Sequence, residues 1–130
     1  MYIFNITDKH PILRDADQTI SVRVAQSGAS DGDVAANLAP IENITGWTLR
    51  WHLVEHLGAT IALTKATNNG ITIVGVYNVD PALNTQYAVI TLSAADAALA
   101  DDIYDHGLWR TDNGANTPLC KGTAVVVAVP

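Results

Sequence analysis

Residues able to do chemistry are few in this sequence, and the sharpest arrangement among them is His52-Leu53-Val54-Glu55-His56, which fits the H-x-x-E-H zinc signature. That chemistry requires both histidines on one face of a helix, about a turn apart, with a distant carboxylate as third ligand. The five residues instead continue an alternating segment. In a strand His52 and His56 share a face but stand ~13 Å apart at about 3.3 Å per residue, too far for one metal. They are expected to be surface or loop histidines. His106 alternates with Tyr104 and Leu108 and is expected to point into or along the core as a hydrogen-bonded structural histidine. Cys120 is the one cysteine, so an internal disulfide and a cysteine-rich metal site are excluded. With no base positioned beside it, it reads as an inert, half-buried thiol. Asp31-Gly32-Asp33 is a partial calcium loop without the terminal Glu, and Asp101, Asp102 and Asp105 read as a solvated acidic corner. Gly-rich phosphate loops and a nucleophile elbow are missing. The expectation is therefore no catalytic residue, no metal and no cofactor: not an enzyme.

The elements that carry these residues are strands. Residues 46–55 place Trp47, Leu49, Trp51 and Leu53 on one face and Thr48, Arg50 and His52 on the other, the period of two of a half-buried strand. Each Trp can bury on the order of 200 Å², so this segment is expected to floor the core. Further strands are expected over 2–7, 18–26, 59–66, 71–74, 86–92, 103–112 and 118–129. Asn68-Asn69-Gly70 and Asp112-Asn113-Gly114 supply turn signals. Residues 27–45 and 75–85 read as long loops. Residues 93–100 read as the only helical stretch, capped by Ser93 with Asp96 at the third helical position. Short strands, regular turns and no long helix predict an all-β fold, an immunoglobulin-like antiparallel β-sandwich with one short helical turn. The helical turn leading into Tyr104 matches the corner where, in such domains, a Tyr hydroxyl ties the chain to its own backbone.

At 130 residues one domain is expected: residues 18–130 as the sandwich, and residues 1–17 as an N-terminal strand or arm, with Pro11 favouring the arm. A net charge of −6 with scattered basic residues argues against nucleic acid and anionic membranes as partners. No apolar run approaches the ~20 residues of a membrane span, and the N-terminus lacks the pattern of a secretory signal. Trp109 is expected on the face opposite Tyr104 and Leu108, and Trp109-Arg110 joins two residue types enriched at interface hot spots. Trp47, at the start of its strand, is expected to stay partly exposed. With Tyr77 these residues are the candidate partner-binding set: Trp109, Arg110, Trp47 and Tyr77.

The order Ile44-Thr45-Gly46, Leu49-Arg50-Trp51-His52-Leu53, Leu63-Thr64-Lys65, Gly70-Ile71-Thr72-Ile73, Ile90-Thr91-Leu92-Ser93, Asp96, Tyr104, Leu108-Trp109-Arg110-Thr111-Asp112, Gly114 and Gly122 resembles a family of tailed-bacteriophage proteins. These are Ig-like virion modules related to the N-terminal domain of phage baseplate upper proteins. The likeness covers residues 17–129. It implies a non-enzymatic virion structural protein, made in the host cytoplasm, that docks to capsid, neck or tail proteins as a homo-oligomer or in lattice-bound copies. A coiled coil or receptor-binding domain would be expected after the Ig-like part, yet the sequence stops at Pro130, so a fibre is not expected; capsid decoration is favoured over a small neck, tail or baseplate adaptor. The alternative is an Ig-like module recognising host-surface carbohydrate or protein, which requires Trp109, Trp47 and Tyr77 to share one loop-rimmed patch.

Overall fold

The Trp/Leu alternation around residue 50 folds as a strand because one face is apolar throughout: Leu49, Trp51 and Leu53 are all essentially buried while Arg50, His52 and Val54 are half-exposed. The computed structural model describes residues 2–3, 11–26, 30–58, 60–100, 102–114 and 116–128. In chain order the elements are β1 (Tyr2–Ile3), β2 (Ile12–Leu13), β3 (Gln18–Val22), α1 (Asp31–Ala35), β4 (Leu49–Glu55), β5 (Ile61–Thr67), β6 (Gly70–Val74), β7 (Tyr87–Leu92), β8 (Asp102–Arg110) and β9 (Thr117–Val127). The fold is all-β. The strands form one path of pairings, β1-β9-β8-β4-β5-β6-β7-β3, with β2 also paired to β9.

Two antiparallel groups make up that path. One is β5-β4-β8-β9, the other β6-β7-β3. They join where the chain doubles back from β5 to β6, a short parallel contact of Ala66 with Gly70 and Thr67 with Ile71. The expected Asn-Asn-Gly turn makes this possible, since Asn68 (φ 64) and Gly70 (φ 98) both take left-handed backbone. Inward side chains of both groups, including Val22, Ile71, Ile90 and Leu92 from one and Trp51, Leu53, Leu108 and Val126 from the other, form a single core cluster.

Three expectations need amendment. The pairing is not wholly antiparallel, because β1 and β2 both run parallel to β9 and β5 runs parallel to β6. The stretch 1–17 contributes both β1 and β2, with Ile12 1% exposed in the core; residues 4–7 of the expected first strand lie outside the described residues. The helix is also elsewhere. Residues 94–97 form a turn, closed by the reciprocal bonds Ser93 N–H to Asp96 Oδ2 (2.9 Å) and Asp96 N–H to Ser93 Oγ (3.1 Å). The α-helix is α1, inside the expected loop 27–45, where Ser30 Oγ accepts from the Asp33 N–H. Both segments carry a serine cap followed three residues later by Asp. Composition favours a helix in the alanine-rich one, which stops after one turn, with Ala97 buried and Leu99 half-buried as the chain turns into β8.

At that corner Tyr104, 5% exposed at the start of β8, donates its hydroxyl to the Ala100 carbonyl at 3.0 Å. The polar tip is thereby satisfied inside an apolar site. Lys65 of β5 pairs with Asp96 at 2.7 Å across the same region.

Candidate functional site

Arg110 is the last residue of β8 and pairs with Leu49 at the start of β4, so strand register brings it beside the chain entering β4. Trp47 lies in that entry, outside the strand, following a turn in which its N–H donates to the Ile44 carbonyl at 3.0 Å. The Arg110 guanidinium sits 4.1 Å above the Trp47 ring centroid. Its Nε donates to Asp112 Oδ1 at 2.9 Å and an Nη to Oδ2 at 3.3 Å. This two-point bond is the first cause holding the Asp112 carboxyl below its usual range. The stack borders a depression of about 320 Å³ that Glu42, Thr117 and Pro118 also line. A planar ring and a cation already balanced by a carboxylate offer contact area and hydrogen bonds, the residue types of a recognition surface.

Tyr77 belongs to the 75–85 loop, where it is half-buried. The loop is held by its own side chains. Asn84 is buried; its Oδ1 accepts from the Asn78 N–H and its Nδ2 donates to the Gln86 carbonyl. Thr85 Oγ1 accepts from the Val76 N–H, and Asp80 Oδ1 from the Ala82 N–H. Gly75 is required at the neck, since at φ +78 a Cβ there would lie 1.8 Å from the Thr85 carbonyl oxygen. Buried Gln86 then links this loop to the Trp47 turn, its Oε1 accepting from the Ile44 N–H and its Nε2 donating to Thr45 Oγ1.

Trp109 goes elsewhere. It is half-buried on the outer face of β8, opposite Arg50 of β4 and, across a register shift, Pro118 of β9. Its Nε1 would stand 3.2 Å from a Cβ on Gly107, so the indole lies over that glycine. Of the four candidate residues the fold thus unites Trp47 with Arg110, puts Tyr77 on a neighbouring loop, and turns Trp109 onto the sheet.

The described histidines each have a different partner. His52 Nδ1 lies 3.1 Å from Thr64 Oγ1, and His56 Nδ1 lies 3.1 Å from Asp105 Oδ1. Partial burial, then the charge of Arg50, lowers His52 below its ordinary pKa. His106 is 4% exposed and accepts the Trp51 Nε1–H on Nδ1 at 3.2 Å. Cys120 is 1% exposed rather than half-buried, and burial pushes its thiol up to about 12. Asp33 lies on α1, and Asp101 lies outside the described residues. Among the described residues no group of three His, Cys, Asp or Glu is gathered for a metal. No family model matches the chain, and no curated protein sequence is significantly similar to it.

Sequence reasoning missed a set of exposed apolar side chains on the loops. Leu38, Val76, Val79 and Leu83 are 75%, 74%, 80% and 63% exposed. A usable signal existed in the last three: bulky apolar residues set among the turn formers Asn78, Asp80, Pro81 and Asn84 have no strand or helix face to occupy.

Proposed function

We propose that this chain is a non-enzymatic structural module of a tailed-phage virion, an Ig-like β-sandwich that docks to other virion proteins. The two antiparallel strand groups sharing one core, and the Tyr104 hydroxyl tied to the backbone four residues upstream, support the Ig-like part of the reading. The sequence resemblance supports the phage part. Docking rests chiefly on one observation: an internally bonded loop end carries large apolar side chains in water, an arrangement that marks contact surfaces rather than reaction centres. Capsid decoration is the favoured role, with a neck, tail or baseplate adaptor next. The glycan-binding alternative needs Trp47, Tyr77 and Trp109 in one patch, and the sheet position of Trp109 weighs against it.

A density map of intact particles tests the proposal. The expected result is symmetric copies of the chain seated on a shell or tail protein with the loop end in the contact. Absence of the chain from particles, together with glycan binding lost on Trp47→Ala, would overturn it.

A further inference from the structure

Two surfaces of this molecule differ in chemistry. The first is the loop end. Arg23 clamps its two loops, with Nη1 donating to Asn37 Oδ1 (2.9 Å) and the Pro81 carbonyl (3.1 Å), and Nη2 donating to the Val34 carbonyl (2.6 Å). Leu38 adjoins Asn37, and Val79 and Leu83 lie two residues either side of Pro81, so the clamp joins the two segments that carry these apolar tips. Their rim is anionic: Asp33 and Asp80 are exposed, while the guanidinium of Arg23 is occupied by carbonyls and the Tyr87 ring.

The second surface is the outer face around Trp109. Gly107, under the indole, pairs with His52 on one side and Lys121 on the other, and Trp109 itself pairs with Arg50. Arg50 and Lys121 differ from the other described cations. Arg14, Lys65 and Arg110 each meet a carboxylate and Arg23 its carbonyls, whereas neither the Arg50 nor the Lys121 side chain has a hydrogen bond or ion pair. Arg50 Nε is even buried without an acceptor. Among the described residues of a chain of net charge −6, the two uncompensated cations thus stand beside one flat aromatic ring.

We propose that the first surface of one copy seats on the second surface of the next, the Val79 and Leu83 tips on Trp109 and the Asp33 and Asp80 carboxylates opposite Arg50 and Lys121. This deepens the docking reading by naming the partner, a second copy of the chain. Because the two patches differ, the contact is head-to-tail and extends into a ring or row instead of closing as a symmetric pair.

The test is sedimentation velocity of the purified chain up to millimolar concentration, in low and high salt, with two double variants: Val79→Asp/Leu83→Asp on the loop, and Arg50→Glu/Lys121→Glu on the face. Near-UV circular dichroism checks that each variant is folded. Wild type is expected to sediment faster with rising concentration and to lose this in high salt. Each variant alone is expected to stay monomeric, and an equimolar mixture to form a dimer, since one variant keeps an intact face and the other an intact loop end. A monomeric wild type across the range, a variant that assembles alone, or a mixture that stays monomeric would each overturn the proposal. A chain that is monomeric in solution but present in particles overturns the self-contact and leaves the docking reading standing; assembly without incorporation into particles does the reverse.

Discussion

The interior around β4 and the loop 75–85 are both firmly built, by opposite means. Around β4 the apolar side chains lock the structure: Leu49, Trp51 and Leu53 are at most 1% exposed, and the indole N–H of Trp51 is satisfied by His106. In the loop, side-chain amides, hydroxyls and carboxylates lock the backbone, while Val76, Val79 and Leu83 are left in water. In the first region a residue contributes by the apolar area it removes from solvent. In the second the contribution lies in backbone geometry, and the apolar tips add little to folding. Stability and association are therefore separable, and substitutions should fall on one side or the other.

The largest effect is expected in the interior. Trp51→Ala removes the biggest fully buried side chain and leaves His106 Nδ1 buried without its donor, so a loss of about 3–5 kcal/mol is expected from denaturant titration. A loss under about 1 kcal/mol would mean that β4 is not the floor of the core. Next comes the neck of the loop. Gly75→Ala drives a Cβ into the Thr85 carbonyl at a left-handed backbone position, for an expected cost of about 1–3 kcal/mol in the same titration. A neutral result there would show that the loop adjusts freely and that its backbone is not locked by its own side chains.

The two regions also differed in how far they could be read from sequence. Strand β4 was legible because alternation is a local signal, repeated by each pair of residues from Trp47 to Leu53, and the outward placement of Trp109 followed from the same period once Tyr104 and Leu108 were taken as core. The Tyr104 corner was legible from the short capped segment before it. What the sequence did not disclose depends on register between distant segments. Trp47 and Arg110 meet only because Leu49 pairs with Arg110, and β1 and β2 join the sheet only because β9 is long enough to accept both. Pro11 and the charges near it obscured β2, a two-residue strand too short for any periodicity. Helix α1 was hidden by composition, since Gly, Ser and Asp are turn formers until a cap such as Ser30 organises them. The loop tips are obscured by composition, since the turn formers around Val76, Val79 and Leu83 dominate the segment.

A smaller effect sharpens the comparison at a site that belongs to neither region. The Asp96 carboxyl is held below its ordinary pKa first by Lys65 and then by the Ser93 N–H. A carboxyl depressed in the folded state stabilises above its unfolded value of ~3.9, and the contribution is lost as pH falls through the folded value. Asp96→Asn is therefore expected to cost about 0.5–1 kcal/mol at neutral pH, with the gap from wild type closing below about pH 4. A gap that persists unchanged in acid would mean that the effect does not come from the carboxylate charge.

The smallest expected effect is the most informative about the loop. Val79→Asp places a charge on a residue that is 80% exposed, whose neighbours Asn78 and Asp80 anchor the turn through their own side chains. The denaturation midpoint should move by no more than about 0.5 kcal/mol equivalent, as at other surface positions without a buried partner. A cost above about 1.5 kcal/mol would mean that Val79 supports the loop from within, and the exposed tips would then be part of its scaffold. If instead the midpoint holds while association is lost, the same side chain is dispensable for folding and required for contact. That outcome is what distinguishes a surface kept apolar for a partner from one that is apolar by default, because an incidental surface valine would leave both measurements unchanged.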